Sequence, residues 1–392
     1  MADRSFLSWP FLSPRHQELY DRVDAWAVAN VSRLIGDGET SAAAAATVRL
    51  MVAEMGKAGL LSTAVGSDRS LRGSLDARSL CICREVLARH AGLADFSFAM
   101  QGLGTGPISL FGTEEQKERW LPPVARGTTI SAFALSEREA GSDVSALAMR
   151  AQPDGNHWRL DGAKTWISNA GIAGLYVVFA RTGEAPGAKG LSAFVVEADT
   201  PGFSVTKVID LIAPHPIGTL AFDGVKVPAA NMLGSPGDGF RIAMATLDVF
   251  RSTVGAAALG FARRALDEAL KHASTRKLFG QPLSDFQLTR AKLADMALAI
   301  DAAALLIYRA AWTKDVKGTR ISRESSMAKL FSTEEAQKVI DSAVQIFGGL
   351  GVTHGHIAEK LYREIRALRI YEGASEVQKL VIATRLLAEF QA

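Results

Sequence analysis

The sequence predicts a mostly helical α+β protein with an N-terminal helical domain (1–127), a central antiparallel β-barrel or sandwich (128–236) and a C-terminal four-helix bundle (237–392). Three observations predict it. Apolar residues recur at helical spacing in the first third, switch to short alternating runs between residues 128 and 228, and return to helical spacing after Gly239.

In the first zone Val48, Met51, Val52 and Met55 step along one helix face, as do Leu80, Val86 and Leu87. Residues 42–46 read as helix-favouring alanine. The run Gly102-x-Gly104-x-Gly106 lacks the spacing and the strand–turn–helix setting of a dinucleotide fingerprint, and is expected to break a helix. In the second zone the strands expected are 130–135, 157–160, 176–180, 191–196 and 220–227. Asp154-Gly155-Asn156 and Asp161-Gly162 read as hairpin turns. No long helix alternates with these strands, which disfavours a doubly wound parallel sheet. In the third zone Leu293, Met296, Ile300, Ala304 and Ile307 share one face of a long helix, and several such helices in series make a bundle.

Composition narrows the function classes. At ~150 residues per domain, 392 residues leave room for two or three units with a large core. Lys plus Arg number 44 against 41 Asp plus Glu, a balance of +3 that exerts no general pull on nucleic acid or anionic membrane. Cys81 and Cys83 are too close to bridge comfortably and too few for a structural zinc site, which fits a reducing cytosol. Residues 1–14 hold no continuous apolar stretch, and the apolar run 302–308 is bounded by Asp301 and Arg309, so neither a signal peptide nor a membrane span is expected. Ser326 and Lys329 have serine-acylase spacing without its companion motifs, and chance explains them. His354 and His356 read as a loop pair with no third ligand.

Four segments carry chemistry. Leu135-Ser136-Glu137-Arg138-Glu139-Ala140-Gly141-Ser142-Asp143 ends an apolar strand with small residues and hydroxyls, suited to a phosphate or a flavin edge. Lys164-Thr165-Trp166-Ile167-Ser168-Asn169 sets a flat indole at another strand end, where it can stack on a ring system. Arg276 to Leu283, followed by Gln287, joins two helices with cations and an aromatic, and read alone is equally a C-cap with a solvated basic patch. The last segment runs from Gln345-Ile346-Phe347-Gly348-Gly349 to Arg369-Ile370-Tyr371-Glu372-Gly373-Ala374-Ser375-Glu376. It places a carboxylate ahead of a helix whose capping box would be Ser375 and Gln378.

In this order and layout the four segments resemble the acyl-CoA dehydrogenases over residues 11–390. The resemblance implies FAD, held between the β-domain and the bundle, and oxidation of the Cα–Cβ bond of an acyl thioester. It makes Glu372 the base that removes the α-proton while hydride passes to flavin N5, with the Glu372 backbone N–H helping to hold the thioester oxygen. Some relatives carry the base at the position of Phe250, which cannot take a proton. Phe250 therefore either narrows the acyl pocket toward a short, branched or cyclic group or merely packs between helices.

Carried over residue by residue, the cofactor contacts are Leu135, Ser136, Gly141, Ser142, Trp166, Ile167 and Ser168. Arg276, Phe279, Gln287, Gln345 and Gly349 match positions that reach the FAD of a neighbouring subunit, which implies a homodimer or homotetramer. Ser142, Asp248, Phe250, Arg251 and Gly373 match substrate contacts. An electron-transfer flavoprotein is the implied acceptor, fatty acid metabolism the implied setting and the cytoplasm the expected location. Two departures stand out: residues 211–219 lack the arginine and serine of the usual loop beside the thioester arm, and Ala374 replaces a threonine. The first keeps a carrier-protein thioester open as the substrate. A non-catalytic flavin-binding protein associated with nucleic acid is the reading from another class, and the charge balance gives it little support. Asp95 falls near the far end of the acyl pocket in relatives; an exposed helix position is expected, because a buried unpaired carboxylate is costly.

Overall fold

The computed structural model describes residues 3–36, 38, 40–66 and 75–391. Among the described residues six α-helices come first: α1 (Pro14–Leu34), α2 (Ser41–Lys57), α3 (Leu61–Ala64), α4 (Ala77–His90), α5 (Gly92–Phe111) and α6 (Glu114–Ala125). Eight strands follow: β1 (Ser131–Ala134), β2 (Arg150–Asp154), β3 (His157–Ser168), β4 (Leu175–Arg181), β5 (Leu191–Glu197), β6 (Phe203–Val208), β7 (Ile217–Pro228) and β8 (Met232–Leu233). Then come α7 (Gly239–Thr275), the small hairpin β9 (Lys277–Leu278) and β10 (Gln281–Pro282), and helices α8 (Gln287–Trp312), α9 (Ser322–Phe347), α10 (Ile357–Leu368) and α11 (Ser375–Phe390). The three compositional zones thus appear as helices, sheet and helices. By spatial contact the chain forms two compact units, one built from the chain up to Val31, Ala77–Asp95 and Asp248–Ala392, the other from Ser32–Asp76 and Phe96–Leu247.

The second unit is organised on an eight-stranded sheet of order β6-β7-β3-β2-β4-β5-β8, with β1 against β4. Most pairings are antiparallel, as expected, but β1 and β2 both run parallel to β4. Two further positions depart from the sequence reading. Asp161-Gly162 lies inside β3 at an irregularity in its pairing with β7, because the extra residue is absorbed as a bulge. Gly155 does form the predicted turn, between paired Asp154 and His157. The Gly102–Gly106 run lies within a continuous α5: a Cβ on Gly104 would meet Ser131 Oγ at 2.5 Å, so the glycine serves close approach of α5 to β1 and breaks no helix. Gln101 Oε1 accepts from Ser131 N at 2.9 Å at the same contact, and Phe133 packs on Phe179 with ring centroids 5.0 Å apart.

In the first unit α9 packs against α8, α10 and α11. The predicted α8 stripe is buried at Met296, Ile300, Ala304 and Ile307. Buried Tyr308 stacks on Phe6 at 5.2 Å, and its hydroxyl donates to Glu85, which Arg263 also holds at 2.8 Å. Cys81 and Cys83 are buried thiols. Among the described residues one helix, α7, is long and apolar enough by length and composition to cross a membrane, and its apolar residues are mostly buried within the protein.

Candidate active site

Glu372 sits between α10 and α11 with φ +52°, and Gly373 follows at φ +96°. Two consecutive left-handed residues fold the chain into a sharp kink ahead of α11, a conformation that needs glycine at its second position for steric reasons as well. A Cβ on Gly373 would lie 2.3 Å from Gln378 Nε2. The predicted capping box does not form. Ala374 is the N-cap without a side-chain bond, Ser375 Oγ donates to Glu334 at 2.5 Å, and Gln378 Nε2 turns back to donate to Gly373 O at 2.9 Å. The close approach of Gln378 to the kink draws its amide away from the helix end.

Both carboxylate oxygens of Glu372 are buried and accept no hydrogen bond among the described residues. Burial raises its pKa above the ordinary carboxylate value; Arg84, Lys329 and Arg251 pull the other way, and Asp95 adds to the rise. Two of these cations are themselves held by carboxylates. Arg84 makes a bidentate pair with Asp95, both bonds 2.8 Å, and donates to Thr253 Oγ1 at 3.0 Å. Asp95 is thus buried and paired, where sequence reasoning placed it on an exposed helix face; the desolvation cost is offset by a partner eleven residues away. Arg251 donates to Asp248 at 2.7 Å, and the other oxygen of Asp248 accepts from Ser322 Oγ at 2.6 Å. The third cation, Lys329, is fully buried and donates to Gly373 O at 2.7 Å.

Asp248, Arg251, Gly373 and Glu372 therefore belong to one cluster, and Phe250 is buried one residue before Arg251 on α7. Sequence reasoning missed Arg84, Gln378 and Lys329. A signal for Lys329 existed, since it falls in the same three-and-four stepping as Ser322, Ser325, Ser326, Ser332 and Thr333, all buried on α9. A lysine within a stripe of small residues faces inward.

In the other unit Leu135 and Ser136 leave the end of β1, and Thr165 N donates to Ser136 O at 3.0 Å, which sets this turn beside the end of β3. Trp166 adopts φ +60° at a second irregularity of β3, and 59% of its surface is exposed, so the indole stands off the sheet with a face free for stacking. Ile167 is buried beneath it, Ser168 is half-buried, and Gly141 and Ser142 are exposed. Lys164 braces this corner: its buried Nζ donates to Leu135 O at 2.9 Å and to Glu137 Oε1 at 2.7 Å. The Glu137 carboxylate in turn accepts from Ala148 N at 2.7 Å and Met149 N at 3.1 Å.

The five residues matched to a neighbouring subunit's cofactor are exposed on the bundle. Phe279 (φ +49°) and Gly280 (φ +85°) form the two-residue turn of the β9–β10 hairpin, the double left-handed geometry of a type I′ turn. Phe279 is 96% exposed. Leu283 N donates to Arg276 O at 2.7 Å, tying the hairpin to the end of α7, and Gln287 opens α8. His272 packs on Phe347 at 4.5 Å, which brings the end of α7 beside the end of α9, where Gln345 and Gly349 lie. His356 packs on Phe347 too and caps α10, its Nδ1 accepting from Ala358 N at 3.2 Å.

Comparison with known proteins places the chain. Residues 13–128, 132–225 and 237–387 match the family descriptions for the N-terminal, middle and C-terminal domains of acyl-CoA dehydrogenase. The chain is 42% identical over 343 residues to the short-chain specific acyl-CoA dehydrogenase of Rattus norvegicus mitochondria, covering 87% of this chain and 83% of that one. Its structure is similar to that of butyryl-CoA dehydrogenase from Megasphaera elsdenii, with TM-score 0.87, 35% identity and coverage of 96% and 99%. It is also similar to a glutaryl-CoA dehydrogenase from Mycobacterium smegmatis in complex with FADH2, with TM-score 0.86, 27% identity and coverage of 96% and 95%.

Proposed function

Because the chain belongs to the acyl-CoA dehydrogenase family, an FAD-binding oxidoreductase family, we propose that it desaturates a compact acyl-CoA at Cα–Cβ with Glu372 as the base. One observation carries the reading. Glu372 is a carboxylate with both oxygens buried and free of hydrogen bonds, and burial raises its pKa toward the range in which a general base works near neutral pH. Its lone pairs are available for a substrate proton because no donor among the described residues consumes them. The three surrounding cations favour its ionised form and would stabilise negative charge that develops on a thioester enolate.

The residues present fit the cofactor. Trp166 offers an exposed indole beside the hydroxyls of Ser136 and Ser168, which suits a planar ring with polar edges. Bound there, FAD supplies the acceptor for the electron pair and hydrogen leaving Cβ. Arg276, Phe279, Gln287, Gln345 and Gly349 reach the cofactor of a second copy, and their shared exposure at one end of the bundle supports this. An electron-transfer flavoprotein then reoxidises the enzyme. Buried Phe250 shortens the acyl space, which supports a short, branched or cyclic substrate over a long straight chain.

The test is anaerobic bleaching of the purified yellow protein across acyl-CoA esters graded in length and branching. Butyryl-CoA and similarly compact esters should bleach it fastest. Bleaching by none of the esters, or faster bleaching by the same acyl group on a carrier protein, would overturn the assignment to CoA thioesters.

A further inference from the structure

Lys329 has no role in the reading above beyond its charge, yet its geometry is specific. Its Nζ donates to Gly373 O at 2.7 Å, and Gln378 Nε2 donates to the same oxygen at 2.9 Å while approaching Glu372 O at 3.4 Å. A carbonyl oxygen has two lone pairs, so these two donors saturate it from α9 on one side and α11 on the other. Any rotation that relaxed the left-handed backbone of Glu372 or Gly373 would turn this carbonyl and break both bonds. Among the three cations near Glu372, Arg84 is neutralised by Asp95 and Arg251 by Asp248. Lys329 has no carboxylate hydrogen-bonded to it among the described residues.

We propose that Lys329 is the positioning residue of the base: it locks the Glu372–Gly373 kink through the Gly373 carbonyl and, alone of the three cations beside Glu372, presents a charge that no carboxylate among the described residues binds, which helps keep the Glu372 carboxyl acidic. This rests on Glu372 being the base. The groups facing Glu372 are Arg84 from α4, Asp95 from the start of α5, Arg251 from α7 and Lys329 from α9, with Tyr371 next to it in the chain. Lys329 itself faces Glu372, Arg251, Glu334 of its own helix and Glu376 of α11. Burial draws the Lys329 ammonium down to about 8, so it is mostly charged at neutral pH and below.

The experiment uses the FAD-loaded enzyme and titrates the infrared carboxylic-acid band that Glu372→Gln removes, alongside the pH profile of anaerobic bleaching by butyryl-CoA. In Lys329→Met the loss of a cation should move the band midpoint and the acid limb of the profile upward by about one pH unit. That is about tenfold slower bleaching on the limb, with the dissociation constant of butyryl-CoA within twofold of wild type. Lys329→Arg should return the midpoint. Lys329→Gln, which removes the charge but keeps a donor for Gly373 O, serves if the methionine variant does not accumulate, and should show the same shift. Gln378→Met keeps the cation and loosens the kink; it should slow bleaching at every pH without moving the midpoint. An unmoved midpoint in the Lys329 variants overturns the proposal, provided Glu372→Gln still blocks bleaching. Bleaching of Glu372→Gln at the wild-type rate would instead overturn the base assignment and this proposal together.

Discussion

Lys164 in the sheet and Lys329 in the bundle are both wholly buried, and each donates from Nζ to a main-chain carbonyl one step from a site residue. Burial pulls both ammonium groups down to about 8. They differ in what faces the charge. Lys164 is closed by Glu137, whose oxygens also take two backbone N–H groups, so its charge is spent inside the corner that joins β1 to β3. Lys329 meets no carboxylate at hydrogen-bond distance among the described residues and is electrostatically coupled to Glu372. The contrast separates two uses of a buried lysine. A paired one is a brace whose removal is felt as instability, and an unpaired one beside a titrating group is felt as a change in chemistry.

The contrast can be broken most severely at Glu372. Glu372→Gln keeps the shape and removes the proton acceptor, so anaerobic bleaching should slow by about 10³-fold or more while the protein stays yellow and its melting temperature holds. Stopped-flow mixing with butyryl-CoA reads this. Next in size is Lys164→Met, which leaves Glu137 buried without its cation; about 3–5 kcal/mol of stability should go, with loss of bound FAD, by denaturant titration and flavin absorbance. Adding Glu137→Leu should recover much of that. Gly373→Ala forces a Cβ onto Gln378 at a positive φ and should cost about 1–3 kcal/mol together with slower bleaching, which would show that the kink matters for both stability and rate. The smallest effect expected is Trp166→Leu. An exposed indole carries little of the core, so flavin retention should fall by about tenfold, measured by dialysis, with the melting temperature of the apoprotein unchanged.

Acidity gives a further check. Because burial raises the Glu372 pKa, the carboxylate is lost as pH falls through a value above about 4.3, the ordinary figure for glutamate. Bleaching should therefore decline on acidification before the fold does.

Much of this was legible in the residues. The helical and alternating periods located the helical zones and strands β1, β3, β4, β5 and β7, because a half-buried face imposes its period on the sequence. Glu372, Asp248, Arg251 and Gly373 were named from the family resemblance, and the structure gathers them into one cluster. What stayed hidden depends on partners distant in sequence. Nothing near Asp95 announces Arg84, and nothing near Lys329 announces Gly373, forty-four residues away. Strands β2, β6, β8, β9 and β10 were missed because β2 and β6 are largely exposed and β8, β9 and β10 have only two residues each, too few to show a period. Gly104 and Gly162 were misread for a shared reason: a glycine marks a turn, a bulge or a close contact alike, and the sequence does not say which.

Gln378 holds the kink from the first turn of α11, and along that helix only Ser375 and Gln378 are buried, while Leu386, Leu387 and Phe390 stand exposed. In an isolated copy of the chain, opening the first turn of α11 would release the residue that also orients the base. The lifetime of the productive carboxylate geometry is thereby tied to the local opening of α11. Amide exchange along α11 would then report on the readiness of the site before any substrate is added.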